Sequence, residues 1–150
     1  MVDEPASGRD LPTTFQRTAA GLSAGIAASV LIGWAFNVDA MTSLVPGSIA
    51  MNPATTVAVL ALAAGIAFRS RRRAPLVGLL AAVAIVIGTL KFIQFLHGPY
   101  TGIDEILFAD QLDRVAGVAP NRMAPNTAFA LAGLGWGLLG SNSRRVQWIV

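Results

Sequence analysis

Residues 74–90 read APLVGLLAAVAIVIGTL, a run with no charged residue and a single hydroxyl, Thr89. Arg71, Arg72 and Arg73 stand immediately before it and Lys91 immediately after, and the apolar pattern then continues to Leu96. A membrane-crossing helix needs roughly 20 such residues, within a range of about 17–25. Working outward, the same pattern recurs. Thr18 to Val38 is free of charge, Ala40 to Phe68 is free of charge and densest from Pro53, and Met123 to Gly140 is the fourth such stretch. The expected spans are about residues 18–37, 51–69, 74–97 and 123–141. The second and fourth are short and must begin close to the interface.

Composition agrees. Hydrophobic residues are 54% of the 150 and charged residues 13%, against about a quarter charged in soluble domains. Mean hydropathy is +0.61. A spanning backbone must satisfy its own hydrogen bonds, so helix is the expectation for each stretch. No period-2 alternation suggests a β-barrel. The fold class read from the sequence is therefore all-α integral membrane. The chain has no cysteine and one histidine, which excludes disulfides, thiolate sites and any two-histidine site within one chain. Gly21-xxx-Gly25 and Gly133-xxx-Gly137 match the small-xxx-small spacing of close helix pairs, and Ala64 and Gly65 add to it.

Arginine sets the expected orientation. Arg9 and Arg17 precede the first span, Arg69 to Arg73 lie between the second and third, and Arg144 and Arg145 follow the fourth. All three regions fall on one side of a four-span arrangement, which places both termini in the cytoplasm. The opposite loops carry Asp39, Asp104, Glu105, Asp110 and Asp113, with Arg114 and Arg122. The pI near 10.6 thus reflects membrane topology, and no nucleic-acid partner is expected. The lipid bilayer is the first partner, with anionic lipid at Arg69–Arg73 a secondary one. Asp3, Glu4 and Asp10 before a long apolar run argue against a cleaved signal peptide. Residues 1–17 read as a short disordered tail, 18–141 as the membrane domain, and 142–150 as a tail or the start of a further helix.

The chain also matches itself at an offset of 72. Phe36, Met51, Pro53, Thr55 and Gly65 fall on Phe108, Met123, Pro125, Thr127 and Gly137. The two units, about 18–69 and 74–141, have the same orientation, so the expected architecture is two tandem, parallel helical pairs. Met-x-Pro-x-Thr starts the second helix of each pair. Proline at the first helical position loses no hydrogen bond. Asn52 is a fair N-cap where Ala124 is not, and the hydroxyls of Thr55 and Thr127 fall in the first turn. This is helix-start chemistry. The alternative is that two positive helix ends face one outer pocket and present donors to a signal or an anion.

Gly33-Trp34-Ala35-Phe36, Val45-Pro46-Gly47, Met51-Asn52-Pro53-Ala54-Thr55-Thr56, Gly102 to Phe108, and Arg122-Met123-Ala124-Pro125-Asn126-Thr127-Ala128 together resemble a bacterial membrane sensor region. Regions of that kind stand N-terminal to PAS, histidine-kinase and diguanylate-cyclase modules. The resemblance covers about residues 20–140. Ala54 departs from it where Asn is usual, and Gln94 where an acid is frequent. It implies a multi-pass protein of the bacterial inner membrane that perceives a cue or anchors a cytoplasmic signalling module, fused or separate, with a homodimer as one assembly. The chain carries no phospho-acceptor histidine in a dimerisation helix, no nucleotide lid and no cyclase motif. No catalytic residue, metal or cofactor is expected, and the chain is not read as an enzyme. The second reading of function is a small structural or assembly subunit of a larger membrane complex.

The candidate pocket residues are Thr55, Lys91, His97, Asp104, Arg122, Asn126 and Thr127. Lys91 lies about 26 Å up its helix at 1.5 Å per residue. It either snorkels to the outer interface or is a buried partner for Asp39 or Asp104. His97 is a polar end residue, a pH-sensitive group, or a haem ligand paired with Met51, with Met123 or with its own copy in a dimer. The acids of the outer loop form a solvated or Arg-paired face, or else hold a cation or do acid–base work. Trp34, Tyr100 and Trp148 near segment ends suit interfacial anchoring, and Trp136 suits packing within its helix.

Overall fold

The computed structural model describes residues 10–43, 50–69, 73–97 and 123–142. These form five helices and no strand. They are α1 (Asp10–Phe36), α2 (Asp39–Thr42), α3 (Pro53–Ala67), α4 (Ala74–His97) and α5 (Pro125–Asn142). Two of them, over Thr14–Phe36 and Ala74–His97, are long and apolar enough to cross a membrane. The second expected span is the shorter apolar helix Pro53–Ala67, about 22 Å long at 1.5 Å per residue.

Helix α1 starts at Asp10, so it runs eight residues into the stretch expected to be a disordered tail. Pro12 is no obstacle, because the first turn has no intrahelical N–H bond to lose. The helix ends in a Schellman arrangement. Asn37 takes the left-handed conformation, with φ 55°, and the Val38 N–H reaches back to the Gly33 carbonyl at 2.9 Å. Asparagine is one of the few residues that tolerate this position. The reversal leads directly into α2, whose start is tied down by Met41 N–H to Val38 at 2.9 Å.

Neighbours in sequence pack antiparallel. Helices α1 and α3 join through Trp34, whose Nε1 donates to the Met51 carbonyl at 2.9 Å. Helices α3 and α4 pack side by side, and the Arg73 guanidinium just before α4 sits 5.0 Å from the Phe68 ring centroid at the end of α3. Helices α4 and α5 make the most extensive pairing among the described residues. Helix α3 also packs on α5, and these two run parallel. Gly65 lies beside Leu138, and Arg69 Nη2 donates to the Ser141 carbonyl at 3.4 Å. Those two residues are 72 apart, the offset at which the sequence matches itself.

The interior is unusual in composition. Among the described residues, ten of the 17 buried hydrophobic ones are alanine, while Leu22, Ile26, Ile32, Leu79, Val86, Phe129 and Leu134 are exposed. Water-soluble domains bury their large apolar side chains; here small residues lie inside and large ones face out. The main core joins α3, α4 and α5 through Ala58, Leu62, Val77, Ala81, Ala84, Ala128 and Leu131. A second cluster of Val30, Trp34 and Ala50 holds α1 against the start of α3.

The close helix approach does not fall where the small-xxx-small pairs put it. A Cβ on Gly21, Gly25, Gly133 or Gly137 meets nothing within 4 Å. Between the long helices, the glycines that meet backbone are Gly88 and Gly135, while Gly65 meets the Leu138 side chain. A Cβ at Gly88 would lie 2.6 Å from the Ala128 carbonyl oxygen and 2.7 Å from the Ala132 nitrogen. At Gly135 it would lie 2.7 Å from Ile85 Cγ1 and 3.0 Å from the Ala81 oxygen. Backbone touches backbone, so nothing flexible can move aside. Gly88→Val is expected to lower stability by about 1–3 kcal/mol through forced separation of α4 and α5, whereas Gly133→Ala stays within about 0.5 kcal/mol of the parent. Reversible unfolding of the purified protein in mixed micelles checks both.

Candidate functional site

The polar interior is concentrated at one end, where α1 and α4 finish and α3 and α5 begin. It is built first by the start of α3. Pro53 occupies the opening of that helix, and Asn52 caps it. The Asn52 Oδ1 accepts from the N–H of Ala54 at 2.9 Å and of Thr55 at 3.3 Å. The hydroxyl engaged here belongs to Thr56, which donates to the Asn52 carbonyl at 3.1 Å, one residue beyond the Thr55 singled out from the sequence. Asn52, Thr55 and Thr56 are all buried. Met51, half-buried, is fixed from both sides: its carbonyl accepts from Trp34 and its N–H donates to the Thr42 carbonyl at 2.7 Å.

The start of α5 is a looser copy. Pro125 opens the helix, and Ala124 offers no capping side chain. Asn126 Oδ1 instead accepts from the Thr127 N–H at 2.9 Å. Asn126 is exposed and Thr127 half-buried, whereas Met123 is buried.

Lys91 is 5% exposed, so the snorkelling reading is corrected: the ammonium stays inside. Its Nζ donates to Gln94 Oε1 at 3.2 Å, and Gln94 is 8% exposed. The reason is the face on which Lys91 sits. Val77, Ala81, Ala84 and Gly88 form the buried stripe of α4, and Lys91 continues it at the same three-and-four spacing. Lys91, Gln94, Phe95 and Met123 line a cavity of about 40 Å³. Asp39, proposed as a partner for Lys91, is exposed.

His97 is exposed at the last residue of α4. Asp104 and Arg122, with Glu105, Asp110, Asp113, Tyr100 and Trp148, lie outside the described residues. So the structure brings Lys91 and Met123 to one cavity and puts Thr55 in the buried start of α3, while Asn126 and His97 face outward. No group of three or more His, Cys, Asp or Glu that could hold a metal occurs among the described residues. Gln94 and Thr56 were not singled out as site residues, yet both belong to the polar interior. Their signal was positional: Gln94 lies three residues beyond Lys91, and Thr56 four beyond the capping Asn52.

Two aromatic expectations are also corrected. Trp34 is 1% exposed and acts as an internal hydrogen-bond donor rather than an interfacial anchor. Trp136 is 62% exposed and does not pack inside α5, because it projects from the face opposite Gly135 and Leu138.

Set against protein families, curated proteins and solved structures, the chain matches none. The cap geometry makes a local prediction. Asn52→Ala removes a buried cap and is expected to cost about 1–2 kcal/mol, while Asn126→Ala costs less than about 0.5 kcal/mol because that site is exposed. Chemical or thermal unfolding of the two variants side by side measures the difference.

Proposed function

We propose that the chain is the membrane-embedded input domain of a bacterial signalling system, with four spans in two tandem parallel pairs and both termini cytoplasmic. A cue from the periplasm or the membrane acts at the polar end, where α3 and α5 begin. The change passes along those two helices to the cytoplasmic end, for a fused or separate module to read. The reading gives the chain no catalytic step of its own.

The observation that carries it is the parallel, register-matched pairing of α3 with α5. Gly65 meets Leu138, and Arg69 meets Ser141 at the repeat offset. A parallel pair has its two starts at one end and its two finishes at the other. That arrangement suits conduction from a pocket to an output. The inverted composition supports lipid as the surroundings: alanine and polar groups lie inside, while Leu79, Val86, Phe129, Leu134 and Trp136 lie outside. Arg69, beside Ser141 at the finish of α5, fits the cytoplasmic end of such a domain. Helix α3 at about 22 Å is shorter than a bilayer core of roughly 30 Å, but nine of its 15 residues are buried. Its neighbours, more than lipid, form its surroundings, so a short helix is tolerated there.

The absence of cysteine makes topology directly measurable. Asp39→Cys should react with a membrane-impermeant maleimide in intact spheroplasts, and Ser70→Cys only after permeabilisation. The reverse labelling, or labelling of both without permeabilisation, defeats the four-span orientation. For function, a tag placed after Met1 at the chromosomal locus gives the mass of the native product. A species much heavier than 15.6 kDa carries its output module in the same chain. Loss of output in a well-folded Arg122→Ala/Asn126→Ala/Thr127→Ala variant is expected; unchanged output with intact membrane folding defeats the pocket.

A further inference from the structure

The end of the molecule opposite the polar interior is cationic. There Arg69 follows α3 and Arg73 precedes α4, and both are exposed. Each is held in place. The Arg69 backbone N–H donates to the Ile66 carbonyl at 3.4 Å, and its Nη2 donates to the Ser141 carbonyl of α5 at 3.4 Å. The Arg73 guanidinium lies over the ring of Phe68, the residue just before Arg69, at 5.0 Å from the centroid. Two helices thus bring two guanidinium groups to one place. A guanidinium offers five N–H donors and no acceptor. Arg69 gives one to a neutral carbonyl, and Arg73 is attracted to a ring face rather than to an oxygen. Among the described side chains the only carboxylate is that of Asp39, at the other end. Beside the cations the surface turns apolar at once. Phe68, Leu76 and Leu79 are exposed; the two leucines, three apart, share a face of α4, and exposed Val86 continues it two turns further on. Water satisfies an exposed arginine, but it does not account for an apolar wall rising from the pair. A molecule with an anionic head and apolar tails matches both.

We propose that Arg69 and Arg73 bind the phosphodiester of an anionic phospholipid whose acyl chains lie along Leu76, Leu79 and Val86. The site goes beyond the sensory reading and rests on it only for the leaflet, the cytoplasmic one. A guanidinium fork meets two phosphate oxygens at once, which an ammonium does not. A phosphate held by both arginines ties the end of α3 to the start of α4. Through the Arg69–Ser141 contact it also reaches the end of α5. The three helices of the main core then share one lipid at one end. Exposed Arg17 of α1 lies at the same end, because α1 and α3 are antiparallel, but it stands on another helix and outside this clasp.

The test uses the full chain in a neutral detergent, titrated with phosphatidylglycerol or phosphatidylcholine of equal chain length. Native mass spectrometry counts the lipids that stay bound. A detergent micelle has no sides, so the result does not depend on orientation. One phosphatidylglycerol is expected to bind on the order of 20-fold more tightly than phosphatidylcholine, and Arg69→Gln or Arg73→Gln each to cost about fivefold, against less than about twofold for Arg17→Gln. Arg73 makes no bond to α5, so Arg73→Gln tests the site even if Arg69→Gln weakens the fold. Equal binding of the two lipids, an equal loss from all three substitutions, or full binding by the Arg69→Gln/Arg73→Gln double variant overturns the site. Inorganic phosphate that competes at the same concentration as phosphatidylglycerol assigns the cations to a free anion and overturns the lipid. Labelling of Ser70→Cys separates the two proposals. Labelling from outside with lipid binding intact supports the site and defeats the orientation alone, whereas lost binding with the expected labelling defeats the site alone.

Discussion

Gly88 sits against the Ala128 carbonyl and the Ala132 nitrogen with no room for a methyl group, and the arrangement of the other helices depends on that contact. Helices surrounded by apolar solvent gain little from hiding leucine, because lipid and leucine are equally apolar. What remains is dispersion between closely packed atoms, and it rewards backbones that approach each other. Gly88 and Gly135 face each other's helices from opposite sides of the crossing, with alanine filling the positions between. The pair forms a stiff unit, and α3 lies in the groove beside it through Ala54, Ala58 and Leu62. The Phe92 and Phe129 rings, 6.1 Å apart and tilted at 53°, close the outer rim of the same crossing.

Much of this was legible in the sequence because it rests on local rules. Pro53 and Pro125 mark helix starts wherever they occur after a turn, and the apolar run from Ala74 reaches the end of α4 as its length suggests. Asn52 declares its cap by type and position alone. The start of α1 was not legible. Charge and hydropathy mark where a helix leaves an apolar medium, whereas the helix itself continues as long as its hydrogen bonds close, and Asp10 to Arg17 continue it.

The interior was harder to read, for a geometrical reason. Small-xxx-small spacing identifies a smooth stripe but not the side on which a partner lies. The Gly21 and Gly133 pairs satisfy the spacing while facing open space. Lys91 shows the same limit. Its height along α4 suggests an interface, but its azimuth, shared with Val77, Ala81, Ala84 and Gly88, puts it inside. Height is a sum over rise per residue and is easily taken from a sequence. Azimuth has meaning only once the buried stripe is known, and in a helix apolar on all faces that stripe is marked by small residues rather than by hydrophobicity. Trp34 and Trp136 exchange their expected places for the same reason.

Helix α1 touches α2 and α3 and no other helix among the described residues. Its extensive packing on α3 includes the Trp34 indole hydrogen bond and the Val30, Trp34 and Ala50 cluster. The other three helices close on one another without it. Helix α3 is therefore the shared member, packed at least as extensively on α1 as on α4 and touching α5 as well. Helix α3 thus ties α1 to the α4–α5 pair, since among the described residues α1 touches neither of those two helices.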